Sequence, residues 1–538
     1  MKGTVPAAAL VVAASAIAGG FLGSRVSATE RTDRLNQLYQ VYTAAYAAVE
    51  QQYVEPMKDS NQAAAAVYGS IDGMLRTLDP HSSFFDPNSY AQMRERQEGR
   101  YPGIGVTIVA NNDDVTVTSL FEGSPAYKAG IRRGDVIAKV GEESAKGWTT
   151  KQVSDKIRGP KGTKVRVSIR RPGGEQLIDL DVERDEINIT TINAAFMIEP
   201  GTGYVRLEEF SETSDDELQA ALKKLKAQGM ERLVFDLRDN PGGALDQAIA
   251  IASHFLKQGQ MVVYTQGRVQ NSDNQYPAIT QGDFLTTPLI VLVNRGSASA
   301  SEIVSGAMQD HDRALIIGEQ TFGKALVQSV YRIANGAGLA LTTGRYYTPS
   351  GRMIQRPWDG AFDDYLTYGL RDQNEHRDHA ASQLKYTDGG RKVYGGGGIE
   401  PDHFMMGPIK GFAPTYDGRQ LFNRGMFVGF AEKFTAEGDD RPMNRRASNQ
   451  HKVSRGFEIT PAIFDEFRQY VMNEQRMRVD EKVFTTDAAF IKAMIHYEAD
   501  VDLFGVEEAR RQLLRVDPQW KFASGYFDEA KALLTSKK

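Results

Sequence analysis

Apolar positions in the first hundred residues recur every three or four. Leu35, Leu38, Tyr42, Ala45, Val49 and Tyr53 make one stripe, and Val67, Ile71, Leu75 and Leu78 a second. That spacing predicts amphipathic helices over a region spanning 31–99, their apolar faces turned to a core or to a partner helix. Asp79-Pro80 stops the second run. From Gly103 the period changes to two. Val106-Thr-Ile-Val and Val115-Thr-Val-Thr flank the turn Asn111-Asn-Asp-Asp, and further strands are predicted at 135–140, 164–169 and 177–182. A β-rich domain is expected over 100–185.

Beyond it, strands and helices alternate through 186–405. Gly203-Tyr-Val-Arg-Leu, Leu233-Val-Phe-Asp-Leu, Leu289-Ile-Val-Leu-Val, Ala314-Leu-Ile-Ile and Val327-Gln-Ser-Val-Tyr read as strands. Helices are predicted at 215–228, near 244–257 and near 300–310. This is the pattern of an α/β layered domain. Residues 357–394 are polar and irregular, and read as a surface insertion. The 406–538 region is helical again, with Phe464, Phe467, Val471 and Met472 on one stripe and Phe490, Met494, Tyr497 and Val501 on another.

Composition narrows the chemistry. The 538 residues hold 64 Lys+Arg and 69 Asp+Glu, a net charge of −5, and no cysteine. Zero cysteine excludes disulfides, thiolate metal sites and a thiol nucleophile. A mildly acidic balance without a long basic run argues against nucleic acid as a partner. Lys2 precedes an uncharged stretch, Val5–Gly23, and Val26-Ser27-Ala28 supplies small residues for cleavage. Residues 1–28 therefore read as an export signal or as a single membrane anchor. The expected location is the periplasm or the outer face of the inner membrane.

The informative stretch is Asn294-Arg-Gly-Ser-Ala-Ser-Ala-Ser-Glu302, which leaves a buried strand and enters a helix. A serine there meets free N–H groups and a dipole that favour an oxyanion. Simple N-capping explains the same letters, with three serines competing for it. A serine nucleophile needs a base. His311 lies at the far end of the same helix, about 18 Å away at ~1.5 Å per residue, and is out of reach. Lys324, in Thr321-Phe-Gly-Lys-Ala-Leu-Val-Gln328, lies between apolar residues near a strand start. Desolvation there would lower its pKa, and Gln328, four residues on and on the same strand face, would hydrogen-bond the amine; a solvated surface lysine fits the same letters, and periodicity does not single this one out.

These residues resemble the carboxy-terminal processing (tail-specific) serine peptidases. The resemblance rests on Gly296-Ser-Ala-Ser-Ala-Ser-Glu-Ile, Gln309-Asp, Arg313-Ala, Gly318, Thr321-Phe-Gly-Lys and Gln328, and covers about 35–405. Leu78-Asp-Pro-His-Ser-Ser, Asp236-Leu-Arg-Asp-Asn-Pro-Gly-Gly243, Tyr347-Thr-Pro-Ser-Gly-Arg and Gly397-Gly-Ile-Glu-Pro-Asp402 match other landmarks in order. Ala325 departs from the family's usual glycine. The resemblance implies Ser299 and Lys324 as a catalytic dyad, 25 positions apart, with Gln328 as partner of the lysine. It implies oxyanion donors at Gly243 (Gly242 in reserve) and at Ala300. It also implies dimerising N-terminal helices.

Tyr101-Pro-Gly-Ile-Gly-Val106, Gly123-Ser-Pro-Ala and Arg133-Gly-Asp-Val-Ile resemble a PDZ domain. Converging amides at Gly103, Ile104, Gly105 and Val106 would take a terminal carboxylate, and the strand after them would offer an edge to a peptide. A PDZ fold without binding activity fits the same letters. Arg158 reads either as a link to the protease core or as a surface arginine. His376-Arg-Asp echoes a kinase loop without its companions, and His376 and His379 lack a third metal ligand.

The expected architecture is thus an α/β (α+β) multidomain chain. A Ser–Lys peptidase core carries an inserted PDZ domain and helical regions at both ends. The expected function is an exported endopeptidase that captures protein C-termini and needs no cofactor. Self-association through the terminal helices and an adaptor or activator protein are the expected partners. The alternative is a catalytically inactive PDZ scaffold.

Overall fold

The computed structural model describes residues 28–535 apart from 56–59, 112, 122, 172–175, 270–271, 359–364, 366–367, 369–378, 408–413 and 437–452. The export or anchor segment and His376 lie outside the described residues. Two compact units divide at Leu78 and Asp79. The first holds the helices Ala28–Gln52 and Ser60–Arg76, where Tyr42 Oη and Ser70 Oγ are 3.0 Å apart. Leu35, Leu38, Val49 and Tyr53 of its stripe are exposed. Among the described residues no helix is long and apolar enough to cross a membrane.

The second unit is built around a six-stranded sheet. Its order is Ala194–Glu199, Thr202–Arg206, Arg232–Asp236, Leu289–Val293, Leu315–Gly318 and His403–Phe404. The first pair is antiparallel and the rest are parallel. Strict alternation sends Leu233, Phe235, Leu289, Val291 and Val293 to one face and Val234, Ile290 and Leu292 to the other. Both faces are covered, as continuous apolar runs in parallel strands require. The first face packs on the helices Ser214–Ala227, Leu245–Ser253 and Ala300–Asp310.

The second face is covered by the end of the chain. Leu514, Trp520, Ala523, Phe527 and Ala530 bury it together with Phe196, Tyr204, Leu315 and Ile317. The helices Val506–Val516, Pro518–Ala523 and Phe527–Thr535 are therefore an outer layer of the core. Arg238 ties this layer to the sheet, pairing with Asp236 at 2.6 Å and Asp517 at 2.7 Å.

A second sheet joins Ser83–Phe85, Gly338–Tyr347, Met261–Gly267 and Asn274–Pro277, with Leu326–Arg332 paired to Gly338–Tyr347. Of these strands, only Leu326–Arg332 is foreshadowed by the sequence pattern. Part of 357–394 is anchored to the core. The hairpin Leu384–Tyr386/Lys392–Tyr394 buries Val393, and Arg391 pairs with Asp312 at 2.6 Å.

The β-rich region forms its own sheet and core. Strands Val106–Asn111, Asp114–Leu120, Val136–Val140, Lys164–Arg170 and Leu177–Glu183 lie in that order, around Ile104, Val117, Ile137, Val153, Val167 and Val182. Among the described residues Val106–Asn111 pairs only with Asp114–Leu120, which leaves its other edge without a partner strand there. The ribbon Arg100–Gly103/Asp185–Asn188 carries the chain in and out.

Helices Met426–Ala436, Pro461–Gln469 and Ala488–Phe504 pack a third core rich in phenylalanine, with Phe427 stacked on Phe467 at 5.1 Å. This lobe grips the β-rich domain. Arg133 enters it and pairs with Glu498 at 2.6 Å and Asp502 at 3.0 Å. Gly134 lies so close that a Cβ there would sit 2.8 Å from the Glu432 carboxylate.

Candidate active site

The three loops at the carboxyl ends of Arg232–Asp236, Leu289–Val293 and Leu315–Gly318 converge, as open parallel sheets dictate. The first carries Asn240-Pro-Gly-Gly243, the second Ser297–Ser299, and the third Thr321–Lys324. Beneath the first loop, Asp236 is fully buried and holds Arg238, Arg206 and the Tyr204 hydroxyl. The two guanidiniums keep its carboxyl far below the usual carboxylate range despite burial.

Ser299 is the last residue before the helix Ala300–Asp310, with φ 55° and ψ −112°. Positive φ in a non-glycine residue is strained by about 1–3 kcal/mol and must be held by its surroundings. Glu302 does much of the holding. Its Oε2 accepts the N–H of Ser299 at 2.8 Å and the N–H of Lys324 at 2.9 Å. Its Oε1 accepts the Thr321 hydroxyl at 2.5 Å and the Gly323 N–H at 2.7 Å. The carboxyl is fully buried, and desolvation pushes its pKa up to about 7 against the pull of those four donors. Because all four partners donate, only the ionised form fits the pattern.

Sequence reasoning passed over Glu302. The signal was present: Ser299-Ala-Ser-Glu302 has the spacing in which a glutamate reaches back to the N–H at the helix entrance.

Lys324 lies just before the strand Leu326–Arg332, not within it. Its Nζ donates to Gln328 Oε1 at 3.0 Å, and Gln328 Nε2 donates to the carbonyl of His81. Burial pulls the Lys324 pKa down, while the charges of Glu302 and Asp79 push it back up. Asp79 is itself fixed by the N–H groups of His81 and Ser82, both at 2.8 Å. Burial, with Lys324 adding repulsion, lowers the His81 pKa to about 4, so the ring is neutral near pH 7. Its Nε2 lies 2.7 Å from Tyr365 Oη.

The glycine turn closes on the serine. A Cβ on Gly242 would lie 2.7 Å from Ser299 Cβ and 2.8 Å from the Ala300 nitrogen, and its φ is 97°. Both facts require glycine there. The Gly242 N–H is already donated to Asn240 Oδ1 at 2.8 Å. Its carbonyl accepts from Phe210 N–H at 2.9 Å. In a trans peptide the N–H points opposite to the carbonyl, so the Gly243 N–H faces away from Phe210. Among the described residues neither Gly243 N–H nor Ala300 N–H has an acceptor.

His311 is spent elsewhere. Its Nδ1 contacts Asp388 and its Nε2 the carbonyl of Met261, each at 2.7 Å. His379 stacks on Tyr394 and contacts Glu400 at 3.0 Å. Among the described residues no group of three His, Asp or Glu is placed to hold a metal ion.

In the β-rich domain, the Ile104 and Gly105 N–H groups also have no acceptor among the described residues, although both residues are buried. Gly105 has φ 81°, and a Cβ there would meet Ser124 Cβ at 2.4 Å. Arg158 ends the helix Thr150–Ile157, ion-pairs with Glu95 and lies 4.5 Å over the Tyr101 ring.

Geometry and sequence relationships agree on the class: a mixed α/β peptidase carrying a PDZ domain. Residues 201–365 match peptidase family S41, and 116–171 match the PDZ domain. The carboxy-terminal-processing protease of Bartonella bacilliformis (strain ATCC 35685 / KC583 / Herrer 020/F12,63) is 42% identical over 294 residues, covering 54% of this chain and 67% of that protein. The carboxy-terminal processing protease CtpA of Bacillus subtilis (strain 168) is 32% identical over 338 residues, covering 62% and 69%. A solved photosystem II D1 C-terminal processing protease is 33% identical, covering 58% of this chain and 89% of that one, with a TM-score of 0.32. That score is too low for the superposition to add to the sequence relationship. The chain belongs to the carboxy-terminal processing proteases of peptidase family S41. It spans about two thirds of the length of these relatives.

Proposed function

We propose that the chain is an exported serine endopeptidase in which Ser299 is the nucleophile and Lys324 the general base. The observation that carries this reading is the shared carboxylate. Glu302 Oε2 accepts both backbone N–H groups, so the serine and the half-buried lysine are registered on one atom. Lys324 takes the Ser299 hydroxyl proton as Oγ attacks the scissile carbonyl. The tetrahedral oxyanion sits against the N–H groups of Ala300 and Gly243, with Gly242 set aside because Asn240 occupies its N–H. The lysine then gives its proton to the leaving amine as the peptide bond breaks. Water, deprotonated by Lys324, hydrolyses the ester and restores Ser299. Gln328 accepts a hydrogen bond from the amine and orients it.

The PDZ domain is the proposed reader of substrate C-termini. The unengaged amides of Ile104 and Gly105, between Gly103 and Val106, suit a terminal carboxylate. The open edge of Val106–Asn111 suits an added peptide strand. Export rests on the Val5–Gly23 run. Self-association through the N-terminal helices is supported by the exposed stripe of Leu35, Leu38, Val49 and Tyr53. An adaptor or activator protein remains an expectation of the sequence, with no surface assigned to it.

The test is cleavage of an unstructured reporter ending in a free carboxylate. Ser299→Ala and Lys324→Ala should each abolish it, and amidation of the reporter's terminus should raise KM. Wild-type turnover by either variant would remove the dyad. Binding of the tail peptide with no cleavage by the unsubstituted chain would favour the inactive scaffold.

A further inference from the structure

The hydroxyl of Tyr346 lies between the main chains of the two residues assigned to the chemistry. It donates to the Lys324 carbonyl and stands 3.2 Å from the Ser299 carbonyl oxygen. Tyr346 is carried on the strand Gly338–Tyr347 and is 2% exposed. Its own N–H donates to the Ala325 carbonyl at 3.0 Å, and it pairs with Thr265 on the neighbouring strand. The ring is therefore fixed before the hydroxyl makes any contact. Burial, with Glu302 nearby, pushes its phenol far above the ordinary range, so it remains a donor.

The two carbonyls differ in need. That of Ser299 already accepts from Glu302 N–H at 2.9 Å and Ile303 N–H at 3.0 Å in the first helical turn. Among the described residues that of Lys324 belongs to no ladder, and Tyr346 is its donor. The lysine is thus held at three points. Glu302 takes its N–H, Gln328 its amine, and Tyr346 its carbonyl. The side chain is four carbons long, so the peptide orientation decides where its amine arrives.

We propose that Tyr346 is a positioning residue for this reaction: its hydroxyl fixes the Lys324–Ala325 peptide and thereby the direction in which the lysine amine meets Ser299. The proposal rests on the Ser299–Lys324 reading. Without the hydroxyl, the carbonyl of half-buried Lys324 loses its donor and the peptide rotates to find another. A displacement of about 1 Å at a reacting group costs on the order of 100-fold in rate.

Tyr346→Phe in the full chain keeps the ring and removes one oxygen. The expected result is a kcat lower by roughly 10- to 100-fold with KM within about twofold, the pattern of lost transition-state alignment. The acidic limb of the pH–rate profile should also move to higher pH. A loosened amine gains water, while Glu302, Asp79 and His81 around it are unchanged. Tyr346→Met, a flexible apolar side chain somewhat smaller than tyrosine and without a donor, should reproduce both effects, and covers the case in which the phenylalanine variant folds poorly. A kcat within about twofold of the unsubstituted chain overturns the proposal. So does a loss of kcat with an unmoved pH limb, which marks packing alone. Ser299→Ala run beside them separates the two readings: if it still cleaves, the dyad falls and this proposal falls with it.

Discussion

Ser299 and Lys324 donate their backbone N–H groups to the same oxygen atom, Glu302 Oε2, at 2.8 and 2.9 Å. A serine in a strained conformation and a lysine on a different loop are thereby held in one frame. Glu302→Gln keeps the shape but presents an amide NH2 to groups that themselves donate. We expect kcat/KM to fall on the order of 100-fold, with the far-UV spectrum retained, because the reacting groups shift by about 1 Å. Peptidase assays with a circular dichroism control check this. A glutamine variant of normal activity would show that the shared carboxylate is incidental.

With Lys324 as the proposed base, two titrations govern the pH profile. Burial lowers the Lys324 pKa, so the free amine is present at a lower pH than for an ordinary lysine. Glu302, raised to about 7, must ionise to accept its four donors. Both requirements are met on the alkaline side. Activity should therefore rise as pH increases through about 7, and kcat/KM should fall steadily below it. An acid optimum would contradict the neutral-lysine base.

The glycine turn tolerates no side chain. Gly242→Ala would place a methyl 2.7 Å from Ser299 Cβ and force φ 97° on an alanine. Loss of cleavage with tail-peptide binding intact is the expected outcome, read by turnover beside calorimetry, since the PDZ domain has its own core. Equal loss of both would mean global damage.

The grip of the C-terminal lobe on the PDZ domain should be pH-sensitive. One cation, Arg133, faces Glu432, Glu498 and Asp502, while neighbouring Asp135 is paired with Arg171. Desolvation, then mutual repulsion, raises Glu432 to about 7; desolvation raises Asp502 to about 6, with repulsion from Glu498 adding to it. Both ordinary values are lower, 4.5 and 3.8. The folded lobe therefore binds more protons than the unfolded chain. Stability is fullest below about 4 and is lost as pH rises through about 6 to 7. Amide exchange around 132–135 should accelerate across that window, and Glu432→Gln should flatten the dependence. Arg133→Ala, which leaves the carboxylates unpaired, should destabilise the lobe by about 3–5 kcal/mol in chemical unfolding.

The outer helical layer gives the last prediction. Trp520 is buried against the second face of the central sheet. Trp520→Ala should cost about 3–5 kcal/mol, measured by denaturant unfolding. A chain ending before Val506 should be insoluble, because Phe196, Tyr204 and Ile290 would face water.

The sequence pattern carried most of what lies near the site. The strands at Leu233, Leu289 and Leu315 are apolar runs of the kind buried strands need, and the alternation from Val106 to Val182 marked the second sheet. Met261–Gly267 and Gly338–Tyr347 escaped because glycine, threonine and arginine interrupt their alternation, and partner strands supply what the pattern lacks. Ser299 and Lys324 came from family resemblance, since capping explains the serines and nothing periodic marks one lysine. Trp520 and Phe527 were unreadable as a core layer because their partners lie about two to three hundred positions earlier. No local spacing records such a contact.

That distance has a consequence for how the protein is made. The sheet that aims Ser299 begins at Ala194, yet the helices that cover its second face end at Thr535. A ribosome releases the strands long before their cover, and contacts so remote in sequence form late. A nascent or truncated chain therefore carries the serine and the lysine without the finished sheet that aligns them. The helical layer within 506–535 thus completes the support of the site's sheet only after every strand of that sheet has been made.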